Sequence, residues 1–270
     1  MTDVLLLEDA PGGVRVLRLN RPGAMNALDA ELTAAMRDAL ADAARDDGVR
    51  AIVVTGGGRA FCAGADLVSF LSGATADPAS VARQVGEGMA ARFNPLMQAM
   101  MDFPKPVIVA INGMAAGGGA ALALCGDVVL AGRSAAMKFV QVPQLGLIAD
   151  LGANWLLPRI AGRGTAMAAI LLGETLSAER MMQLGLCWDV LEDDALLPRA
   201  IAVAARLGDA PPETVVVTRR LVAASLTTDF GAMLDLERLH QEHLSGDPRL
   251  TTIVDEFLAS RRGPKASHGA

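Results

Sequence analysis

One glycine-rich stretch, residues 105–132, constrains the fold of this 270-residue chain more than any other feature. It reads KPVIVAINGMAAGGGAALALCGDVVLAG, so one apolar, β-branched run ends at Asn112 and a second begins at Val128. Between these two predicted strands lie the glycine triplet 117–119 and a short predicted helix, 120–125. Glycine tolerates unusual backbone angles and lets a ligand approach the main chain. The turn is therefore predicted to hold an anion or an oxyanion through free backbone N–H groups.

Other interpretations of this stretch are open to the sequence. Residues 106–126 carry no charge, which is also typical of a membrane span, but five glycines and Asn112 favour a buried strand–turn–helix. The glycines do not match the G-x-G-x-x-G dinucleotide fingerprint, and no Lys-Ser/Thr pair follows them as in a P-loop. Close packing alone is the remaining alternative for the triplet.

Composition limits the class of protein. An apolar content of 52% and a charged content of 20% are typical of a well-packed folded chain. A net charge of −6 with only three lysines argues against a nucleic-acid partner. The first residues, MTDVLLLEDAPGG, lack the pattern of a signal peptide, and no membrane partner is expected. The three cysteines have no C-x-x-C spacing, so we predict reduced thiols and a cytoplasmic location.

The pattern along the chain changes near residue 195. Strands and helices alternate before it, with helices predicted at 164–172 and 178–184 after an irregular apolar segment, 139–149. Only helical patterns follow. The sequence thus predicts an α/β core over 1–195 and a C-terminal helical region over 196–270. Such an appendage packs on its own core or on a neighbour more often than it forms an independent domain.

A second small-residue turn, Gly64-Ala65, also closes a predicted strand and opens a helix. Two such turns can each direct one N–H group at a single thioester oxygen. That oxygen becomes negatively charged when an enolate forms, and preorganised donors stabilise the charge. Two unrelated structural turns are the alternative explanation.

Acid–base chemistry in the core depends on carboxylates, because no histidine precedes His240. His240 and His243 fit either a shared metal or a solvated helix face, and no third ligand is nearby. Asp150 follows ten uncharged residues, 140–149, and burial would raise its pKa and make it a stronger base. Its alternative role is to cap the next segment. Asp66 is predicted to cap the helix that it precedes.

Four ordered segments carry a resemblance to a known family. They are LNRPGAMNAL (19–28), RAFCAGADL (59–67), KPVIVAINGMAAGGGAALAL (105–124) and LGLIADLGANWLLPRIAG (145–162). Together they resemble the enoyl-CoA hydratase/isomerase family, or crotonase superfamily, over nearly the whole chain. The resemblance implies a crotonase-like α/β spiral of ββα units, with a helical C-terminal region that assembles trimers or dimers of trimers. It implies an acyl-CoA thioester substrate, and no cofactor or metal besides the coenzyme A of that substrate.

The same resemblance implies site residues. The N–H groups of Ala65 and Gly118 would hold the thioester oxygen. Residues expected along the coenzyme A are Ala24, Met25, Arg59, Ala63, Asp66, Leu67 and Gly117. From the C-terminal region, Phe257 or Lys265 would reach the ligand of a neighbouring subunit.

Two departures from the family pattern bear on the activity. Hydratases carry a glutamate where this chain has Ala121, and their second glutamate follows a proline where the nearest candidate here is Pro143-Gln144. No carboxylate lies between Phe139 and Ala149. Adding water to a double bond needs a base for the water and an acid for the α-carbon. Hydratase activity is therefore expected to be weak or nil.

A second branch of the family has an acid at the position of Asp150, in a motif like LGLIPD-x-GG-x-W-LPR. It includes the Δ3,Δ2-enoyl-CoA isomerases and the ring-epoxide isomerase of phenylacetyl-CoA breakdown. A 1,3-proton shift needs one base only, so the sequence favours an isomerase that uses Asp150. A related dehalogenase uses such an aspartate as a nucleophile, but it also needs a histidine that this core lacks. A hydratase-type or other crotonase reaction, and a catalytically weak acyl-CoA-binding subunit, are the alternatives.

Overall fold

The structure is a computed structural model that describes residues 3–71 and 77–261, in two compact units, Met1–Val215 and Val216–Ala270. The described strands are β1 (Leu5–Ala10), β2 (Val14–Leu19), β3 (Ala51–Gly56), β4 (Ala60–Cys62), β5 (Val107–Ile111), β6 (Met114–Ala116), β7 (Val128–Gly132), β8 (Ala136–Lys138), β9 (Leu176–Ser177) and β10 (Asp189–Leu191). The described helices are α1 (Ala30–Arg45), α2 (Leu67–Leu71), α3 (Pro78–Gly88), α4 (Asn94–Met101), α5 (Gly118–Ala123), α6 (Ala153–Leu172), α7 (Ala178–Gln183), α8 (Asp193–Gly208), α9 (Pro212–Ala224), α10 (Phe230–Leu244) and α11 (Leu250–Arg261).

The strands form two sheets. One has the order β1-β2-β3-β5-β7-β10, with β1 and β2 antiparallel and the other neighbours parallel. The other has the order β4-β6-β8-β9, parallel except for β8 and β9. Successive strand pairs β3/β4, β5/β6 and β7/β8 each place one strand in each sheet, and helical structure follows each pair. The expected α/β class with repeating ββα units is confirmed.

Local sequence signals explain the first elements. Gly12 and Gly13 adopt positive φ angles in the turn that joins β1 to β2, as a tight antiparallel connection requires. The side chain of Asp29 accepts a hydrogen bond of 2.8 Å from the N–H of Leu32, so it caps α1 as its sequence position predicts. The buried face of α1 repeats at helical spacing and includes Leu32, Met36 and Leu40.

Parallel pairing sets the position of the two glycine turns. Every residue of β3 and β5 is buried, which is typical of central parallel strands covered on both faces. In the second sheet β4 and β6 are parallel neighbours, with Ala60 opposite Met114 and Cys62 opposite Ala115. The residues that follow these two strands therefore leave the same edge of the sheet. The charge-free stretch 106–126 accordingly forms β5, β6 and α5.

The segment after β8 differs from the expectation. The helix predicted at 164–172 begins at Ala153, and Gly162, with φ 77° and ψ 161°, interrupts its helical geometry. Buried side chains at Ala153, Leu156 and Leu157 follow helical spacing and stabilise the additional first portion of this helix. The predicted irregular segment contains a π-helical turn, Gln141–Leu145. The helix predicted at 120–125 begins two residues earlier, at Gly118.

Helix α8 belongs to the first unit. Its Leu196, Ala200 and Ala204 are buried in one cluster with side chains of β2, β3, β5 and β7. The predicted division into a core over 1–195 and a trimerisation region over 196–270 thus places α8 in the second part, whereas the first compact unit extends to Val215. In its described residues the second unit consists of helices joined by short turns, which confirms the expected helical C-terminal region.

Across the described ranges, 3–71 and 77–261, every helix is too short or too polar to span a lipid bilayer.

Candidate active site

The first site element is the turn between β4 and α2. Leu28 donates its N–H to the carbonyl of Gly64 at 2.7 Å and accepts the N–H of Asp66 at 3.0 Å, so it forms an isolated parallel bridge with Ala65. Along an extended chain, backbone polar groups alternate between the two sides. The groups of Gly64 and Asp66 face Leu28, and the N–H of Ala65 therefore faces the other way.

The second element is the glycine triplet, which packs directly against the first turn. Gly117 has a φ of 53°, in the region that favours glycine, and it precedes the first residue of α5, Gly118. A Cβ atom on Gly119 would lie 2.0 Å from the carbonyl oxygen of Cys62. A Cβ atom on Gly64 would lie 2.9 Å from the backbone nitrogen of Gly118. Close approach of two backbones explains why both turns need glycine.

The predicted pair of N–H donors is brought together by this packing. Within the parts of the chain that the structure describes, neither the N–H of Ala65 nor that of Gly118 has a hydrogen-bond acceptor. Two unpaired backbone donors on adjacent turns are what an oxyanion site requires. The two turns pack against each other, so they are not unrelated structural turns. Their role as an oxyanion site stays a prediction.

Cys62 lies at the same turn, and its sulfur accepts the N–H of Gly64 at 3.5 Å. Burial raises the pKa of its thiol to about 12. The thiol is therefore protonated at neutral pH, and its place in the site is structural rather than nucleophilic.

Asp150 reaches the same place from the segment before α6. It is half-buried, and burial raises the pKa of its carboxyl above the ordinary value, while a hydrogen bond from Gln141 opposes this effect. Leu151 and Gly152 follow with φ angles of 52° and 87°. A Cβ atom on Gly118 would lie 2.9 Å from Cδ2 of Leu151, so Asp150 is one residue away from a contact with the glycine turn.

The side chain of Asp150 does not cap α6, which was the alternative role for this residue. Gly152 occupies the N-cap position of α6, and no side chain caps this helix. The Asp150 backbone carbonyl accepts the N–H of Ala153 at 2.9 Å. Its carboxylate instead accepts Nε2 of Gln141 at 2.9 Å.

Gln141 is the site residue that the sequence analysis missed. It is only 5% exposed. A Cβ atom added to Gly117 would lie 3.5 Å from its Nε2, so the amide is next to the glycine turn. Gln144, the nearest sequence candidate for the second hydratase acid, is exposed. A polar residue within an apolar run was the available signal, because buried polar groups need partners.

Several predicted coenzyme A residues lie around the first turn. The N–H of Ala63 donates to the carbonyl of Met25 at 3.0 Å, which places Ala24 and Met25 beside this strand end. Met25 is 41% exposed and Leu67 is 43% exposed, so both have apolar surface that is accessible. Contact of these residues with coenzyme A stays a prediction.

Asp66 is occupied by protein contacts. It accepts the N–H of Ser69 at 3.1 Å, as expected of a cap for α2, and pairs with Arg21 at 2.9 Å. The Ser69 N–H and the Arg21 guanidinium hold the pKa of this carboxyl below its ordinary value. A contact between Asp66 and coenzyme A stays a prediction.

Three further residues were predicted to contact coenzyme A or a neighbouring ligand: Arg59, Phe257 and Lys265. Arg59 is exposed and lines a depression of about 530 Å³ with Thr55, Asn112 and Ser134, and no other described residue of the predicted set lines it. Phe257 lies on α11 in the second unit, 54% exposed, with the guanidinium of Arg261 4.7 Å from its ring centre. Lys265 lies outside the described residues. In the described ranges no three His, Cys, Asp or Glu side chains are grouped as metal ligands would be.

Comparison with known proteins supports the family that the sequence motifs resemble. The family model Enoyl-CoA hydratase/isomerase matches residues 9–260. The 1,2-epoxyphenylacetyl-CoA isomerase of Escherichia coli (strain K12) is 40% identical over 257 residues, covering 95% of this chain and 96% of the relative. A protein of Rhodobacter capsulatus named "Probable enoyl-CoA hydratase" is 38% identical over 254 residues, covering 92% and 93%.

Solved structures show the fold as well. The enoyl-CoA hydratase/isomerase of Cupriavidus metallidurans CH34 superposes with a TM-score of 0.84 at 31% identity, covering 96% of this chain and 94% of that one. The crotonase-like fold that the resemblance implied is therefore confirmed. Fold, ordered motifs and relatives agree, and the chain belongs to the enoyl-CoA hydratase/isomerase family.

Proposed function

We propose that the protein is an acyl-CoA isomerase that uses Asp150 as its single acid–base group. The substrate class is either a Δ3-enoyl-CoA, converted to the Δ2 isomer, or a ring-1,2-epoxyphenylacetyl-CoA. The position of Asp150 carries the proposal: it is a half-buried carboxyl with a raised pKa, one residue from the contact with Gly118. The 40% identity to a 1,2-epoxyphenylacetyl-CoA isomerase supports the isomerase branch.

The double-bond shift needs two proton transfers. Ionised Asp150 removes a proton from the α-carbon of the 3-enoyl-CoA, and the C–H electron pair passes into a dienolate. The thioester oxygen gains negative charge, which the N–H groups of Ala65 and Gly118 stabilise. Protonated Asp150 then returns the proton to the γ-carbon, and the double bond lies between the α- and β-carbons. No electron is transferred to or from the substrate, so the reaction calls for no cofactor besides its coenzyme A.

A panel of acyl-CoA thioesters tests the proposal. Purified protein would be incubated with 2-enoyl-, 3-enoyl- and ring-epoxide thioesters, and the products separated by chromatography and identified by mass spectrometry. We expect an isomer of unchanged mass from a 3-enoyl or ring-epoxide substrate. A product heavier by one water from the 2-enoyl substrates, without isomerisation, would favour a hydratase and contradict the proposal.

The hydratase alternative has its own test at Ala121, which is fully buried. We expect Ala121→Glu to yield no robust 3-hydroxyacyl-CoA, because residues 139–149 supply no second acid. Ala121→Gln is the matched control for the added volume. Efficient hydration by the glutamate variant, measured by mass spectrometry, would show that one added carboxylate is sufficient.

We also propose a homotrimer or a dimer of trimers, acting in the cytoplasm. Apolar side chains exposed in the second unit support self-association, among them Leu239, Ile253 and Phe257. The three free, buried cysteines support a reducing compartment. Light scattering after gel filtration would report the subunit number, and a stable monomer would contradict the assembly.

A further inference from the structure

Gln141 is a buried amide, and among the described residues its side chain hydrogen-bonds to Asp150 alone. Its side chain is 5% exposed, and Nε2 donates to Oδ1 of Asp150 at 2.9 Å. In the described part of the chain its Oε1 has no donor. Burying an amide costs free energy unless hydrogen bonds offset the loss of solvation. A purely packing role would be served better by an apolar side chain, so the bond to Asp150 is the feature that distinguishes this residue.

The backbone around Gln141 fixes the direction of that amide. The residue begins the π-helical turn Gln141–Leu145, and its carbonyl accepts the N–H of Leu147 at 3.1 Å. A Cβ atom added to Gly117 would lie 3.5 Å from Nε2 of Gln141. The amide therefore lies between the glycine turn and the Asp150 carboxylate. It can fix the position of the carboxylate relative to that turn.

We infer that Gln141 is a positioning residue for Asp150, whose Oδ1 it holds so that Oδ2 takes the proton from the substrate and returns it. The inference rests on the proposed function. In the first step the C–H bond breaks and an O–H bond forms at Oδ2, while the electron pair enters the dienolate. In the second step the O–H bond breaks and the proton goes to the other carbon. Oδ1 accepts the amide N–H throughout, so the carboxyl group keeps its orientation over both transfers.

The surroundings of Asp150 make its protonation sensitive to this one contact. Burial raises the pKa of Asp150, and the Gln141 amide and the Asp150 N–H lower it. No charged side chain of the described residues, including those of α5 and α6, contributes to the shift. Loss of the amide should therefore move the pKa of Asp150 further upward, because nothing charged replaces it.

Gln141→Met tests the inference, since methionine keeps the length of the side chain and removes the donor. We expect kcat on the accepted isomerase substrate to fall about 10–10²-fold with little change in KM, as small misplacements of reacting groups do. The acid limb of the pH profile of kcat/KM should move to higher pH. In the substrate-free protein, the ¹³C carboxyl resonance of Asp150 should also titrate at higher pH than in the wild type.

The matched control is Gln144→Met, the same change at an exposed position of the same turn, which should behave like wild type. Gln141→Asn retains the amide but withdraws it by one methylene, and it serves if the methionine variant fails to fold. We expect it to shift the Asp150 titration in the same direction.

The outcomes separate the two proposals. An unchanged carboxyl titration together with wild-type kcat in a folded Gln141 variant would overturn the inference. If the wild-type protein isomerises no thioester, the proposed function fails and the positioning role for that reaction fails with it. A titration that still shifts would then mark a carboxyl–amide pair that serves another reaction.

Discussion

Replacing Asp150 with asparagine is expected to lower kcat for isomerisation by about 10²–10⁴-fold, the usual contribution of a general acid–base group. Asparagine has nearly the same shape, but it cannot accept and return a proton. Binding of the thioester depends on the backbone donors and the coenzyme A contacts, so the Kd for a non-reactive acyl-CoA should change little. Single-turnover kinetics and isothermal titration calorimetry would measure the two quantities.

The thermal stability of Asp150→Asn provides a control, because it should stay equal or rise while the activity falls. The folded-state pKa of Asp150 is raised by burial, so its contribution to stability is most favourable below the unfolded pKa and is lost as pH rises through the folded pKa. As pH rises through the folded pKa, the buried carboxyl therefore contributes less to the stability of the fold than it does in acid. Asp150→Asn should thus have an equal or higher Tm at pH 7, while it loses activity.

The pH dependence of turnover distinguishes a catalytic Asp150 from a protein that only binds acyl-CoA. The acid limb of kcat/KM in the wild type should lie above the range of an exposed aspartate. Asp194→Asn, the same substitution at an exposed site in the first turn of α8, should keep wild-type turnover. Turnover near the wild-type value in Asp150→Asn would remove this residue from the mechanism and favour a protein that binds acyl-CoA without acting on it.

The second large effect is expected at Gly118. A valine there should reduce kcat by about 10²–10³-fold, the effect of losing one oxyanion donor. Its Cβ would approach Cδ2 of Leu151 to 2.9 Å, so either the N–H of residue 118 or the segment that carries Asp150 must move. In the proposed mechanism both groups act on the enolate, so the loss should fall on kcat at least as heavily as on KM.

A fold control accompanies this variant. Gly164 is exposed on α6, where an added Cβ has no atom within 4 Å, so Gly164→Val should keep its activity and its oligomeric state. Circular dichroism and gel filtration on the same samples show whether Gly118→Val is folded. A folded Gly118→Val protein with near-normal kcat would mean that the triplet serves packing only.

The sequence predicts the parts of the site better than their assembly. Glycine spacing identifies both turns, because the requirement for a positive φ at Gly117 is local. The close approach of Gly119 to the carbonyl oxygen of Cys62 is a tertiary contact. The pairing of β4 with β6, which places Gly64 beside Gly118, involves residues more than fifty positions apart and has no local signal. The ordered family motifs supplied this information through resemblance.

Gln141 shows where residue-level prediction ended. Its approach to Asp150 depends on the π-helical turn that begins at Gln141 and on the left-handed backbone of Leu151, and neither is encoded by a recognisable pattern. The start of α6 was missed for a related reason. Tertiary burial of Leu156 and Leu157 outweighs the low helix propensity of proline and glycine nearby.

The two unpaired N–H groups belong to the main chain, and this divides the proposed chemistry into an inherited part and a replaceable part. Polarisation of the thioester comes with the backbone path through Ala65 and Gly118, so it survives most side-chain changes that leave this path intact. Proton movement depends on one carboxyl at position 150. A lineage that shares this backbone can therefore exchange one reaction for another by relocating a single acid, while its capacity to stabilise enolates is retained from ancestor to descendant.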